Sequence, residues 1–233
     1  MKNIAIILAG GSGKRFENAT PKQFFKILNK TVIEYSIDIF EANHNIDEIA
    51  IVIHKDYFID IEKIIKQKNY KKVKKVLAGG AERYMSSLAA IKNYENCEEC
   101  NLIFHDAVRP LVNERIINDV VESLKKYNAI CTAIPCTDTI MEVEKDGELI
   151  HNIPNRENLR RVQTPQAFKL STIANAYKIA LQDPFFISTD DCAVVIKYLP
   201  YEKIYVVKGE VSNIKLTHKE DIFIIENFIS NFL

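Results

Sequence analysis

The stretch Ile4-Ala5-Ile6-Ile7-Leu8-Ala9-Gly10-Gly11-Ser12-Gly13-Lys14-Arg15-Phe16, with Thr20-Pro21-Lys22 just beyond it, decides how the rest of the chain is read. The apolar run Ile4 to Leu8 predicts a short buried strand. It breaks into a glycine-rich turn that carries two basic residues, Lys14 and Arg15, and Lys22 adds a third cation. Glycines let backbone N–H groups approach a phosphate closely, and the N-terminus of a following helix adds a favourable dipole. The three cations supply the positive charge a polyphosphate requires. The combination points to a nucleoside triphosphate bound beyond a strand of an α/β sheet.

Two better-known phosphate loops do not fit. In a G-x-x-x-x-G-K-[ST] loop the residue after lysine binds magnesium, but here Arg15 follows Lys14. The dinucleotide fingerprint G-x-G-x-x-G also fails, because Gly11-Ser12-Gly13 continues into Lys14, Arg15 and Phe16. The form L-A-G-G-x-G-x-R with a downstream P-K resembles the signature loop of sugar-phosphate nucleotidyltransferases. An ordinary strand-to-helix turn with solvated cations is the plain alternative.

Moving outward, strand-like and helix-like segments alternate. Strands are expected over residues 4–8, 49–53, 73–77, 101–104 and 130–134, and helices over 30–42, 57–68, 86–94 and 113–127. In the first helix Val32, Ile33, Ser36, Ile37 and Phe40 share one side. The pattern predicts a single Rossmann-like α/β domain over residues 1–233, its mostly parallel twisted sheet carrying helices on both faces. Ligands in such sheets sit beyond the carboxyl ends of the strands. Residues 137–162 depart from the alternation. Strand-like runs flank Glu144-Lys145-Asp146-Gly147-Glu148, and Asp-Gly between strands signals a hairpin, so a projecting β-hairpin arm is expected there. A helix over 170–181, a strand over 203–208 and an amphipathic helix from Lys219 complete the reading.

Composition narrows the partners. The 233 residues are 47% apolar, and 31 basic residues balance 31 acidic ones, so no overall basic field argues for nucleic acid. No apolar run reaches membrane-spanning length. Five cysteines, an odd number, with no signal peptide evident lead to an expectation of a reducing, cytoplasmic setting. The lone C-x-x-C at Cys97 and Cys100 lacks the second pair a zinc site needs. The cluster Lys71-Lys72-Val73-Lys74-Lys75 reads as a solvated loop and strand edge.

Further constellations follow predicted strands. His105-Asp106-Ala107-Val108-Arg109-Pro110 places a carboxylate where it would hold Mg²⁺ together with phosphate oxygens, and equally where it would form a buried salt bridge with Arg109. His105 is read as structural. Gly79-Gly80-Ala81-Glu82-Arg83 with Ser86-Ser87 is a second glycine turn able to bring backbone against the edge of a base. Arg156 and Thr164-Pro165-Gln166 come after the hairpin, Thr189-Asp190-Asp191 reads as a helix N-cap, and Ser212-Asn213-Ile214-Lys215-Leu216-Thr217 supplies a further cation.

The ordered set L-A-G-G-x-G-x-R, P-K-Q, G-G-x-E-R, H-D-A-V-R-P, R-x7-T-P-Q, T-D-D and N-I-K-L-T resembles the cytidylyltransferases that act on methylerythritol phosphate and ribitol 5-phosphate. The resemblance covers residues 3 to about 230. It implies Mg²⁺-dependent attack of a polyol phosphate on the α-phosphorus of CTP, releasing pyrophosphate. By resemblance Arg15, Lys22 and Lys215 are catalytic, and Asp106 is the Mg²⁺ ligand. Leu8, Ala9, Gly10, Gly11, Gly13, Lys14, Gly80, Ser86 and Ala107 bind the nucleotide, while Arg109, Arg156 and Thr189 hold the acceptor. Family members are dimers joined through the arm, so Arg156 would complete a neighbour's site.

The acceptor is read from finer features. Methylerythritol-phosphate enzymes usually show H-D-A-A-R-P and an opening nearer P-A-A-G. This chain has Val108 and Leu8-Ala9-Gly10-Gly11, which resemble the pentitol-phosphate branch. Thr189-Asp190-Asp191 occurs in the methylerythritol type, and Ala81 stands where that type is often acidic. Ribitol 5-phosphate is therefore the expected acceptor, with 2-C-methyl-D-erythritol 4-phosphate as the alternative. A nucleotide-binding regulator, a sugar-1-phosphate nucleotidyltransferase and a dehydrogenase are the rival classes. The missing dinucleotide fingerprint argues against the last.

Overall fold

The computed structural model describes residues 1–11 and 20–232; Gly13, Lys14 and Arg15 of the first loop lie outside these residues. Seven strands form the main sheet: β1 (Lys2–Ala9), β4 (Glu48–Ile53), β5 (Val73–Ala78), β6 (Cys100–Asp106), β7 (Ala129–Pro135), β10 (Arg160–Lys169) and β11 (Ile204–Lys208). Two-stranded ribbons are made by β2 (Lys26–Ile27) with β3 (Lys30–Thr31), and by β8 (Glu142–Val143) with β9 (Ile150–Asn152). The α-helices are α1 (Val32–Ala42), α2 (Phe58–Lys68), α3 (Arg83–Asn93), α4 (Glu114–Ser123), α5 (Leu170–Ala180), α6 (Asp191–Tyr198) and α7 (Glu220–Phe232).

The sheet order is β11-β7-β10-β6-β1-β4-β5. β1 runs parallel to β4 and β6, β4 to β5, and β7 to β11, whereas β10 is antiparallel to both neighbours. The chain steps outward from β1 to β4 and β5, then returns to lay β6 on the other side of β1. That reversal opens a crevice beyond the carboxyl ends of β1 and β6, the place where open α/β sheets bind ligands. Leu8 pairs with Asp106 at its base.

Alternation along the strands supplies both cores. Ile4, Ile6 and Leu8 of β1 pack with Val52 and Phe104 beneath α3, α5 and α6. Ala5 and Ile7 face the other way, joining Ile51, Ile103 and the inner faces of α1, α2 and α4. Val32, Ile33, Ser36, Ile37 and Phe40 are all buried, as their spacing predicts. At the start of α1, the Glu34 carboxylate accepts from the Thr31 N–H (2.8 Å) and hydroxyl (2.6 Å), satisfying donors at the helix end. Ser36 Oγ then donates to the Ala107 carbonyl (3.0 Å), so α1 braces the turn after Asp106.

Several boundaries differ from the sequence reading. α3 begins at Arg83 rather than Ser86, α4 ends at Ser123, and β6 extends through His105 and Asp106, so these two belong to the strand itself. The larger difference is β10, which the sequence reading lacks. The residues expected to end the arm, 160–162, open this central strand instead. The β8–β9 hairpin is present, with Gly147 at φ +78° in its turn, a conformation suited to glycine. The lysine cluster lies at and before β5, an edge strand. Cys97 and Cys100 are paired as a disulfide, and Cys131, Cys136 and Cys192 are buried thiols. No helix of the described residues is long and apolar enough to cross a membrane.

Candidate active site

Two glycine turns meet at one serine. The turn after β1 brings Gly10, and the turn after β5 brings Gly79 and Gly80, against Ser86 in the first turn of α3. A Cβ on Gly10 would lie 2.8 Å from Ser86 Oγ, and one on Gly79 would lie 2.9 Å from it, so both positions need glycine for this approach. The Gly80 N–H donates to Ser86 Oγ (3.3 Å), and Gln23 donates to the Ala9 carbonyl (3.0 Å). Ala107 has its N–H on the Leu8 carbonyl and its own carbonyl on Ser36. Both its backbone groups are thus engaged and its side chain is buried, so it shapes the turn rather than the cavity wall.

The cavity these turns enclose has a volume of about 130 Å³ and is lined by Leu8, Ala9, Gly10, Gly11, Lys22, Gln23, Ala81, Glu82, Arg83, Ser86, Asp106, Val108 and Lys215. Among the described residues three cations there face two carboxylates, a balance that favours an anion. A larger concavity of about 840 Å³ lies between α1, α7 and the β2–β3 ribbon. Its apolar walls include Leu28, Ile39, Leu111 and Ile229, and its charged pair Lys30–Asp38 is closed at 2.6 Å. The smaller cavity holds the glycine turns and the charges, and it sits at the topological switch point.

Asp106 is the electrostatic centre. Lys215 Nζ lies 2.7 Å and Arg109 Nε 3.9 Å from Oδ2, and Arg83 Nε lies 3.4 Å from Oδ1. Burial alone would raise its pKa, but the attraction of Arg83, Lys215 and Arg109 outweighs burial and holds the carboxyl well below the usual range. Burial likewise disfavours the Arg83 charge, and Asp191 and Asp106 hold it on.

Each partner is placed by its neighbours. Asn213, fully buried, donates to the Thr164 carbonyl (2.9 Å), and the Leu216 N–H donates to the Val108 carbonyl (2.8 Å). In N-I-K-L the asparagine and leucine therefore clamp the segment that presents Lys215. Arg109 gives its Nη1 to the Asn213 carbonyl (2.8 Å) and its Nη2 to the Val162 carbonyl (3.4 Å), tying the turn after β6 to the Asn213 loop and to strand β10. His105 Nε2 lies 3.1 Å from the Arg109 carbonyl, which can only accept, so this nitrogen carries the proton. Nδ1 then accepts from the Thr164 hydroxyl (3.1 Å), whose oxygen in turn accepts from the Asp106 N–H (3.1 Å). Burial keeps His105 neutral, with a pKa lowered to about 4.

The structure thus gathers Leu8, Ala9, Gly10, Gly11, Lys22, Ser86, Asp106 and Lys215 around one cavity, with Gly80 bonded to Ser86 and Arg109 behind Asp106. Arg156 and Thr189 do not line it. Arg156 is exposed, its Nη1 on the Thr137 carbonyl (3.1 Å), and Thr189 is exposed before α6. Gln23, Arg83, Val108 and Thr164 belong to the site or its support and were not assigned to it from sequence. Arg83 and Gln23 stand inside the quoted G-G-x-E-R and P-K-Q motifs, which was the available signal.

Comparison with known proteins shows the family. The family described as "IspD: 2-C-methyl-D-erythritol 4-phosphate cytidylyltransferase" matches residues 3–231. A Haemophilus influenzae protein named bifunctional ribulose 5-phosphate reductase/CDP-ribitol pyrophosphorylase Bcs1 is 44% identical over 99% of this chain, which spans 48% of that longer relative. A 2-C-methyl-D-erythritol 4-phosphate cytidylyltransferase of Thermobifida fusca is 41% identical over 95% of this chain and 91% of its own. The crystal structure of 4-diphosphocytidyl-2C-methyl-D-erythritol synthase from Anaerococcus prevotii superposes with a TM-score of 0.86 at 31% identity, covering 99% of both chains. With the family pattern, the relatives and the fold in agreement, the chain belongs to the IspD family of CTP-dependent cytidylyltransferases.

Proposed function

We propose that this cytidylyltransferase transfers CMP from CTP to D-ribitol 5-phosphate, forming CDP-ribitol and pyrophosphate. The observation that carries the reading is the 44% identity, along 99% of this chain, to a relative named as a CDP-ribitol pyrophosphorylase. Val108 supports it: its side chain lines the cavity and packs with Ile27 and Leu216, so it fills room that alanine would leave open. The second reading, transfer to 2-C-methyl-D-erythritol 4-phosphate, is favoured by the family's description and by the 41% identical relative.

An oxygen of the acceptor's phosphate attacks the α-phosphorus of CTP, and the bond from that phosphorus to the bridging oxygen of the β-phosphate breaks as pyrophosphate leaves. No enzyme nucleophile is required, so the protein contributes position and charge. Lys22, Lys215 and Arg15 neutralise the triphosphate. The backbone of Leu8 to Gly11 with Gly13, Lys14, Gly80 and Ser86 holds the nucleotide, and the closed glycine turns exclude a purine by size. Arg109, bonded to the Asn213 and Val162 carbonyls beside Asp106, and Thr189, exposed beyond the cavity wall, are assigned to the acceptor by resemblance alone. Asp106 fits Mg²⁺: it offers one hard carboxylate at the cavity wall, the donor set of an ion carried in with substrate phosphates rather than caged by protein. Among the described residues no group of three or more metal-ligating side chains makes such a cage. Bound there, the ion would offset negative charge on the phosphates.

The chain is proposed to act as one domain whose arm pairs with a second copy, bringing Arg156 toward the neighbour's acceptor site. Ile140, Met141, Val143, Leu149, Ile150 and Ile153 of the arm are exposed apolar residues that such pairing would cover. Sedimentation of the intact chain and of one with residues 142–152 replaced by a short turn tests this: dimer against monomer is expected. Pyrophosphate release with CTP, Mg²⁺ and either acceptor tests the reaction. Turnover with ribitol phosphate alone supports the proposal, and turnover with methylerythritol phosphate alone replaces it with the second reading.

A further inference from the structure

Arg83 is bound unevenly by two carboxylates. Its Nη1 donates to Asp191 Oδ2 at 2.7 Å, while its Nε makes one long contact, 3.4 Å, to Asp106 Oδ1. Its Nη2 is buried and, among the described residues, makes no hydrogen bond. Nε and Nη2 form the edge of a guanidinium that grips a carboxylate at two points. That edge is therefore turned toward Asp106 with half the grip made and the other donor left unsatisfied, an arrangement that costs free energy.

Asp191, the nearer partner of the guanidinium, is itself firmly held. It is fully buried, it accepts from the Tyr177 hydroxyl at 2.7 Å, and its N–H donates to Gln166 Oε1 at 3.2 Å. Tyr177 is itself 1% exposed, so the carboxylate is held by Tyr177 and Arg83 and its backbone by Gln166. Asp191 and Arg83 are also the first residues of α6 and α3, so their pair joins two helix starts beside the glycine turn. The clamp uses no group already assigned to nucleotide or acceptor.

We propose that Asp191, held by Tyr177, is a positioning residue that keeps Arg83 from closing a two-point pair on Asp106 and so leaves Asp106 available to a divalent cation entering with the nucleotide. Without Asp191, Arg83 keeps a single carboxylate partner. Its full charge then competes with the cation for Asp106, in addition to Lys215, which already lies 2.7 Å away. The inference rests on the assignment of Asp106 as the cation's ligand.

The test uses the intact protein, Asp191→Asn and Tyr177→Phe. Two quantities are measured: Mn²⁺ affinity by electron paramagnetic resonance with a non-hydrolysable CTP analogue present, and turnover as a function of Mg²⁺ concentration. Asp191→Asn should weaken Mn²⁺ binding and raise the half-saturating Mg²⁺ concentration about tenfold, with turnover recovering to within about threefold at saturating Mg²⁺. Tyr177→Phe should move both by about two- to threefold in the same direction. Unchanged metal affinity in a folded Asp191→Asn protein overturns the proposal, as does a loss of turnover that added Mg²⁺ does not relieve. If Asp191→Asn does not fold, Tyr177→Phe decides by the same criteria. Absence of turnover in the unaltered protein would reject the cytidylyl-transfer reading instead, while the Mn²⁺ measurement would still decide the role of Asp191.

Discussion

His105 should make this protein acid-sensitive within a defined window. Its ring is fully buried behind Asp106, one nitrogen donating to the Arg109 carbonyl and the other accepting from Thr164. Protonation would place a second donor against the Thr164 hydroxyl, whose oxygen already accepts from the Asp106 N–H, and would bury a charge beside Arg109. Burial therefore lowers the pKa from the ordinary 6.5 to about 4, with Asp106 opposing only in part. The unfolded chain binds a proton as pH falls through 6.5 and the folded chain does not until about 4, so stability declines across that interval. The whole interval is worth roughly 3 kcal/mol, and about 2 kcal/mol of it falls between pH 7 and pH 5. Asp106, Glu34 and Glu48, whose pKa values are lowered, contribute stability that is lost only at lower pH, below the ordinary carboxylate range. Urea unfolding at intervals from pH 7 to pH 5 reads the difference, with His105→Gln as the reference in which this titration is absent. An equal decline in both proteins would refute the reasoning, because the loss would then come from elsewhere.

Other substitutions test the remaining parts of the site. Asp106→Asn removes the shared counter-charge of Arg83, Arg109 and Lys215; unfolding should show a loss of about 3 kcal/mol, and Mg²⁺-dependent turnover should fall by roughly two orders of magnitude. Unchanged magnesium dependence would dismiss Asp106 as the ligand. Lys215→Met and Lys22→Ala should each lower turnover about a hundredfold or more with a smaller change in the Michaelis constant for CTP, since their charge matters most as charge builds on the α-phosphate. Gly10→Ala drives a methyl to within 2.8 Å of Ser86 Oγ and should cost about 1–3 kcal/mol, whereas Gly11→Ala meets nothing within 4 Å among the described residues and should leave thermal stability almost unchanged.

The parts of the fold built from local pattern were legible. β1 is apolar and short, α1 repeats its buried positions at helical spacing, and Asp-Gly marks the arm's turn. β10 was not legible, for a physical reason. Its buried segment includes Gln163, Thr164, Pro165 and Gln166, which shows no alternation, and proline is unusual in a central strand. Those side chains are buried because distant groups satisfy them: Gln163 bonds to the Glu210 carbonyl, Thr164 to His105 and Asp106, and Gln166 to the Asp191 N–H. No window of sequence around residue 165 contains those partners.

The same division runs through the site. The sequence by itself determined that a glycine loop with cations follows the first strand, that a carboxylate ends the β6 strand, and which ordered motifs mark the family. These depend on residue type and short spacing, and short spacing survives without a tertiary structure. Only the tertiary structure decided that Gly10 and Gly79 close on Ser86, that Lys215 reaches Asp106 across 109 positions, and that Asp191 holds Arg83 across 108. It also placed Arg156 and Thr189 away from the cavity wall. Contacts between residues so far apart are set by where the sheet order puts each strand end, and strand order is a property of the packed chain rather than of any segment within it.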